Sequence, residues 1–496
     1  MKKSILFTLC LLTSHSYSAE LDLASVEKFS RGKDVVSNIF DLDRAGLRVF
    51  EMEESPWTSS FLPANRGFAA NNYHQKTGKL ISFVKGEFSY TSNRKKLIGA
   101  YNSELNPDHI ATLSPADKYD LLIGNFRNET SFSYRSIEMA DFLRARFGRH
   151  TQWTGMCHGW SPAAVSHPAP QKTITLTSAD GKYQIPFYPN DIKALMTVAF
   201  ANNTRAFMQD DRVQTSVNPE DWMKKDVMPM IGNACRKKGI ALDRSTGRIR
   251  SKDDQLTNCE DVNPAFYHLI MTNLMGRHKQ ALVVDIDHNA KVNNHPTSGY
   301  AVSYFNVSDN RYYPTAKDAM MAVGSFEDKR AEFRHPQTRY ILGVEMNMTF
   351  VDYRFLGKGI AKSADIQKYK ERKFSYDLEL DAQGNILGGE WVNDLKRRRR
   401  GRNTEFVEVA GDKPDFLWYA PKGIKPVAYF EKDLTGDWDA KHEALPKSWA
   451  SAAISASYQT NLDFSAEVDE NGNYPFRPQP EVIFSIVEKM LKLSRE

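Results

Sequence analysis

The stretch Trp153-Thr154-Gly155-Met156-Cys157-His158-Gly159-Trp160-Ser161-Pro162-Ala163-Ala164 sets one cysteine between two tryptophans and two glycines. Gly155 and Gly159 allow a substrate to approach the backbone closely, and Trp153 and Trp160 can wall a cleft and contact substrate. Ser161-Pro162 reads as an N-cap followed by the first residue of a helix, which sets Cys157 just ahead of a helix N-terminus. Unpaired N–H groups and the positive end of the helix dipole at such a position favour a thiolate and can receive a developing oxyanion. Cys157 is therefore a candidate nucleophile for acyl transfer. The competing reading is a small buried cysteine on a loop.

A cysteine nucleophile needs a base and a third group that orients the base, and these come from distant parts of a chain. His268 is the candidate base. It sits in the apolar run 266–271, of strand length, where an imidazole needs a partner. Asp285 ends the next run, 281–285, and is the candidate orienting carboxylate, with Asp287 on the same face. A satisfied core histidine is the alternative for His268. His158 reads as loop-structural, and His288 and His295 are the fallback bases.

Further elements follow from caps and periods. Ser114-Pro115 with Asp117 marks a helix start, residues 136–147 carry a helical apolar face, and Asn190 or Asp191 caps another helix. Residues 344–350 and 374–380 alternate apolar with polar, and 381–385 is a turn. Residues 480–493 carry an amphipathic helix. Helices holding the cysteine come first and an antiparallel sheet holding His and Asp follows, so the fold class is α+β.

At 496 residues, 41% hydrophobic and 11% aromatic, the chain has the composition of a folded protein of two or three domains. Lys2 and Lys3, the apolar run 5–12 and Ser16-Tyr17-Ser18-Ala19 match a secretory signal cleaved after Ser18 or Ala19. A secreted or periplasmic product is expected. No other segment approaches the roughly 18 apolar residues of a membrane span. Loss of the two leader lysines lowers the net charge from +5 to +3, too little to imply nucleic acid as a partner. Leaving out Lys396, Arg397, Arg398, Arg399, Arg400 and Arg402 as well would bring it to −3. That run, 396–402, is expected as an exposed loop, with acidic envelope polymers as a possible partner class. In an oxidising compartment three cysteines form at most one internal bridge. Cys235 and Cys259 lie in polar, loop-like sequence and are paired, which leaves Cys157 free.

Several ordered segments resemble the transglutaminase elicitor family of oomycetes and marine bacteria. Residues 113–122 resemble its L-S-P-A-E-K-Y-D-L-L segment, 153–164 its W-x-G-x-C-H-G-W-A-P-A-A loop with Ser161 for Ala, and 191–195 its D-I-K-A-L helix. Cys259 through His268 is similar to C-x-D-x-N-P-x-x-[FY]-H. Residues 292–300 resemble V-W-N-Q-P-x-x-G-[FY], with Asn293 for Trp and His295 for Gln. Residues 388–391 and 414–418 resemble G-G-E-W and the end of H-P-D-F-L-W. The resemblance implies a papain/transglutaminase-like core with Cys157, His268 and Asp285 as its triad. It implies a protein-glutamine gamma-glutamyltransferase acting on proteins with reactive Gln and Lys. No cofactor is firmly implied; some transglutaminases need Ca2+, and Asp469-Glu-Asn-Gly472-Asn473 has a loosely calcium-loop-like form, more often a hairpin turn. The expected organisation is a signal at 1–18, an N-terminal region or pro-segment at 19–110, a catalytic core at 111–360 and a β-rich extension at 361–496. A papain-type protease, with Gln152 near its oxyanion hole, is the alternative function, and a non-enzymatic surface protein the second alternative.

Overall fold

The computed structural model describes residues 21–71, 105–126, 128, 130–147, 154–207, 228–232, 262–286, 292–331, 334–355, 362–392, 394–400, 403–409, 413–426, 429–458 and 481–496. Residues 1–20, Gln152, Trp153, Cys235, Cys259, Asp287, His288, Arg402 and residues 469–473 lie outside them.

Alternation along the chain builds the strands. They are β1 (Val49–Glu51), β2 (Ile174–Thr177), β3 (Gln184–Phe187), β4 (Met230–Gly232), β5 (Val283–Asp285), β6 (Asn294–Phe305) and β7 (Tyr312–Tyr313). These are followed by β8 (Met321–Ala322), β9 (Tyr340–Val351), β10 (Tyr369–Leu380), β11 (Ile386–Trp391), β12 (Asp394–Arg400), β13 (Asn403–Val409) and β14 (Phe416–Trp418). One antiparallel sheet runs β11-β10-β9-β6-β5-β14-β4, with β1 and β7 on β6 and β8 on β9. Neighbouring residues enter opposite cores, as the two-residue period requires. Val283 and Trp418 join Trp57, Trp160, Leu195 and Phe484 on one side, while Val284 and Leu417 join Phe29, Tyr267, Met346 and Tyr376 on the other. With helices packed on this sheet, the α+β class is observed.

The caps act where the sequence puts them. Ser114 Oγ accepts from Asp117 N at 3.1 Å and Pro115 opens the helix Pro115–Leu122. The next helix is Phe132–Phe147, four residues longer at its start than expected. In the turn after β10, Asp381 Oδ1 accepts from Gln383 N and Asn385 N, both at 2.8 Å, and Gly384 takes the φ of +88° that the turn needs.

Two expectations are corrected. Residues 266–271 are helical: Pro264–Leu269 is an α-helix that continues as a π-helix, Ile270–Arg277. The cause is local, since Asn263 Oδ1 accepts from Ala265 N at 2.8 Å and Phe266 N at 3.2 Å, and Pro264 pre-sets the first helical φ. Residues 396–400 of the basic run lie in a strand and not in a loop: β12 pairs with β13 in register Arg397↔Phe406 and Arg398↔Glu405. Phe406, Val407 and Val409 supply the β-forming partner.

Residues 21–71 are woven into the same body. β1 lies on β6, Met52 N donates to Ser298 O at 2.9 Å, and Trp57 and Phe61 enter the first core. The division expected between 360 and 361 falls between β9 and β10, which pair over twelve residues. Among the described residues, no helix is long and apolar enough to cross a membrane.

A buried ion pair ties two helices of the first core. Lys118 Nζ donates to Asp191 Oδ2 at 2.6 Å, with both side chains fully buried. The same carboxylate accepts from Tyr188 N at 2.8 Å at the start of the helix Pro189–Phe207. Burial pulls the Lys118 amine below the ordinary lysine value in spite of the carboxylate beside it. Removing one partner strands the other charge, at a cost of about 3 to 5 kcal/mol. Lys118→Met should therefore lower unfolding free energy by about that amount, and the Lys118→Met/Asp191→Asn double variant should recover part of it. Denaturant titration of the three proteins measures both, and a double variant as unstable as the single one would contradict the account.

Candidate active site

The loop ahead of the cysteine is clamped by the 61–64 segment. Met156 N donates to Phe61 O at 2.7 Å, and Ala64 N donates to Thr154 O at 2.9 Å. A Cβ on Gly155 would come within 2.6 Å of Phe61 O, so only glycine allows this approach. The helix that follows is Cys157–Ser166, with Met156 at its N-cap. Cys157 is thus the first residue of the helix, while Ser161 and Pro162 lie inside it. The sequence expectation of a helix start at Ser161 is corrected, and the thiol stands at the helix N-terminus itself.

The helix is then fixed to its surroundings. Ser161 Oγ donates to Asn294 O at 3.0 Å, and Trp160 Nε1 donates to Trp57 O at 3.0 Å. A Cβ on Gly159 would meet Thr197 O at 2.2 Å, which lets the helix lie directly on Pro189–Phe207. Trp160 is only 1% exposed and packs within the first core.

Cys157 is a free thiol. Its Sγ lies 4.0 Å from Val292 O and 3.9 Å from Asn294 Nδ2. Asn294 and Asp285 are buried cross-strand partners on β6 and β5. Asp285 Oδ1 accepts from Asn293 N at 2.9 Å. Burial pushes the thiol above its ordinary value, and the negative charge of Asp285 adds to this. The backbone N–H groups of Asn294 and His158 and the Asn294 amide act the other way.

His268 is not part of this group. Its Nδ1 is 2.8 Å from Tyr376 Oη, it is buried beside residues of the second core, and burial lowers its pKa to about 3. The helical Pro264–Leu269 segment sets the His268 imidazole beside Tyr376 of the second core, whereas Cys157 packs against the first. His295 stands one residue beyond Asn294 on β6. Its Nδ1 is 2.9 Å from Val351 O, its Nε2 3.0 Å from Asn293 Oδ1, and its ring 5.8 Å from that of Trp160.

Sequence reasoning missed Asn294 as a neighbour of the sulfur and Trp418 as the hydrogen-bond partner of Asn294. Trp418 Nε1 donates to Asn294 Oδ1 at 3.0 Å. Both residues stand inside motifs quoted above, and that was the available signal.

The charge of Asp285 disfavours the thiolate, so its removal should favour it. In Asp285→Asn, whose amide oxygen can still accept from Asn293 N, the pH midpoint of Cys157 alkylation by iodoacetamide should fall. Peptide mass spectrometry across a pH series reads this, and an unchanged or higher midpoint would show that the carboxylate does not act on the sulfur.

Residues 243–428 match the model of the transglutaminase elicitor family. Among solved structures, the chain is similar to the GP42 transglutaminase from Phytophthora sojae, with 17% identity and a TM-score of 0.48 over 88% of this chain and 99% of that one. No curated protein matches it. The segment that matches the family model carries Asp285, Asn294 and Trp418, and over it the chain is similar to the transglutaminase elicitor family.

Proposed function

We propose that this transglutaminase-like protein is an exported protein-glutamine gamma-glutamyltransferase with Cys157 as its nucleophile. The observation that carries the reading is the free Cys157 thiol at the first residue of a helix, against the buried pair Asp285 and Asn294. The leader-like sequence at 1–19 supports export.

In this reading the Cys157 thiolate attacks the carboxamide carbon of a protein glutamine. N–H groups at the start of the helix receive the oxyanion as the tetrahedral intermediate forms. Collapse breaks the C–N bond, ammonia leaves with a proton from the base, and a thioester remains. A lysine amine then attacks the thioester, loses its proton to the base, and expels the thiolate as the isopeptide bond forms. Water in place of the amine yields glutamate. The base is His295, held by Val351 O and Asn293 Oδ1, or His288, which Asp285 would orient; these are the two imidazoles nearest Asn294 and Asp285 in sequence.

Mass spectrometry of a protein bearing reactive Gln, incubated with a primary amine, tests the reading. Amine incorporation with loss of ammonia is expected, and Cys157→Ala should reduce it on the order of a thousandfold or more while the fold persists. Backbone fragments as the product would favour proteolysis instead. His268→Phe should keep activity where it folds, whereas His295→Ala or His288→Ala should lose it about a hundredfold or more. A folded but inactive His268→Phe would return the base role to His268.

A further inference from the structure

We propose that the side-chain amide of Asn294 supplies a fixed N–H donor to the reacting sulfur of Cys157, and that Trp418 is the positioning residue that holds it there. The inference rests on the proposed nucleophilic role of Cys157 and assigns two residues to it.

An asparagine amide can face a neighbour with either its oxygen or its nitrogen, and the two are opposite in effect. Here the choice is forced by chemistry. An indole N–H can only donate, so the Asn294 atom 3.0 Å from Trp418 Nε1 is the oxygen. The NH2 group is then turned to Cys157 Sγ, 3.9 Å away. Asn294 and Trp418 are both fully buried, so solvent does not compete for the bond between the indole and the amide.

The strand that carries Asn294 is held in place independently. Its carbonyl accepts from Ser161 Oγ, one turn after Cys157 on the same helix. β14, which carries Trp418, is paired with β5 through Leu417↔Val284 and Trp418↔Val283. Donor, acceptor and sulfur are thus connected through a single rigid assembly, with no long flexible side chain in it. The amide also answers Asp285, its partner across the β5–β6 ladder: the carboxylate disfavours charge on the sulfur and the amide favours it. A flipped amide would set an oxygen against the sulfur and leave the indole N–H facing another donor.

The test uses the full-length protein and the alkylation of Cys157 by iodoacetamide, read by mass spectrometry on the Cys157 peptide. Trp418→Phe keeps an aromatic ring and loses the N–H. Its alkylation rate at a fixed pH below the midpoint should fall about threefold to tenfold, and the pH midpoint should move up. Asn294→Ser should produce the same direction of change with Trp418 intact, and it carries the test if Trp418→Phe fails to fold. In amine incorporation, kcat should fall in both variants while KM for the glutamine substrate stays within about twofold. An unchanged midpoint in a folded Trp418→Phe and in Asn294→Ser would overturn the inference and make the contact purely structural. Alkylation needs no turnover, so a wild-type protein without transferase activity would defeat the proposed reaction and still leave this inference decided by the midpoint.

Discussion

Ser161 gives its hydroxyl hydrogen to the carbonyl of Asn294 across 3.0 Å, and that bond joins the helical layer to the sheet beside the Cys157 thiol. On one side of it lies the helix that begins at Cys157, held from behind by the close approach of Gly159 to Thr197. On the other lies β6, the twelve-residue strand that β1, β5, β7 and β9 all pair with. The helix cannot slide along the strand without losing a hydrogen bond between buried groups, which is costly in a water-free interior. The same restraint fixes the distance from the sulfur to Asn294, and so links packing to reactivity.

Much of this was legible in the sequence where the cause is local. Ser114-Pro115, the Asp381 turn, the alternation in β9 and β10 and the amphipathic C-terminal helix, Phe484–Arg495, all depend on residues within a few positions of one another. The run 266–271 misled because six apolar residues fit a buried strand and a buried helix equally well. Asn263-Pro264 just before it was the deciding helix-start signal, and once the segment is helical, His268 faces Tyr376 and not Cys157. The pairing of Trp418 with Asn294 joins residues 124 positions apart. No periodicity or cap encodes such a contact, and only the strand order reveals it.

Buried ionisable groups give the fold two opposed responses to pH. Burial holds His167 and His268 neutral, with pKa values lowered to about 4 and about 3. Their contribution is present above the unfolded value of about 6.5 and is lost as pH falls through the folded values. Burial acts in the other direction on Glu390 and Glu481, raised to about 7, with Asp377 adding to the first and Glu431 to the second. Their contribution is present below about 4.3 and is lost as pH rises toward 7. Between about 4.3 and 6.5 the two pairs change stability in opposite senses and partly offset each other.

The position of β14 has a bearing on how the molecule comes into being. This strand lies between β5 and β4 in the sheet, although the chain reaches it only at residues Phe416–Trp418. A ribosome delivers Cys157, β5 and β6 long before it delivers β14, and pairings so distant in sequence are slow to form. The nascent chain therefore carries a sheet with a gap beside β5, and the sulfur has a neighbouring amide with no indole to orient it. The tuned thiol belongs to the finished polypeptide, and a chain truncated before Trp418 would display the cysteine without the surroundings that govern it.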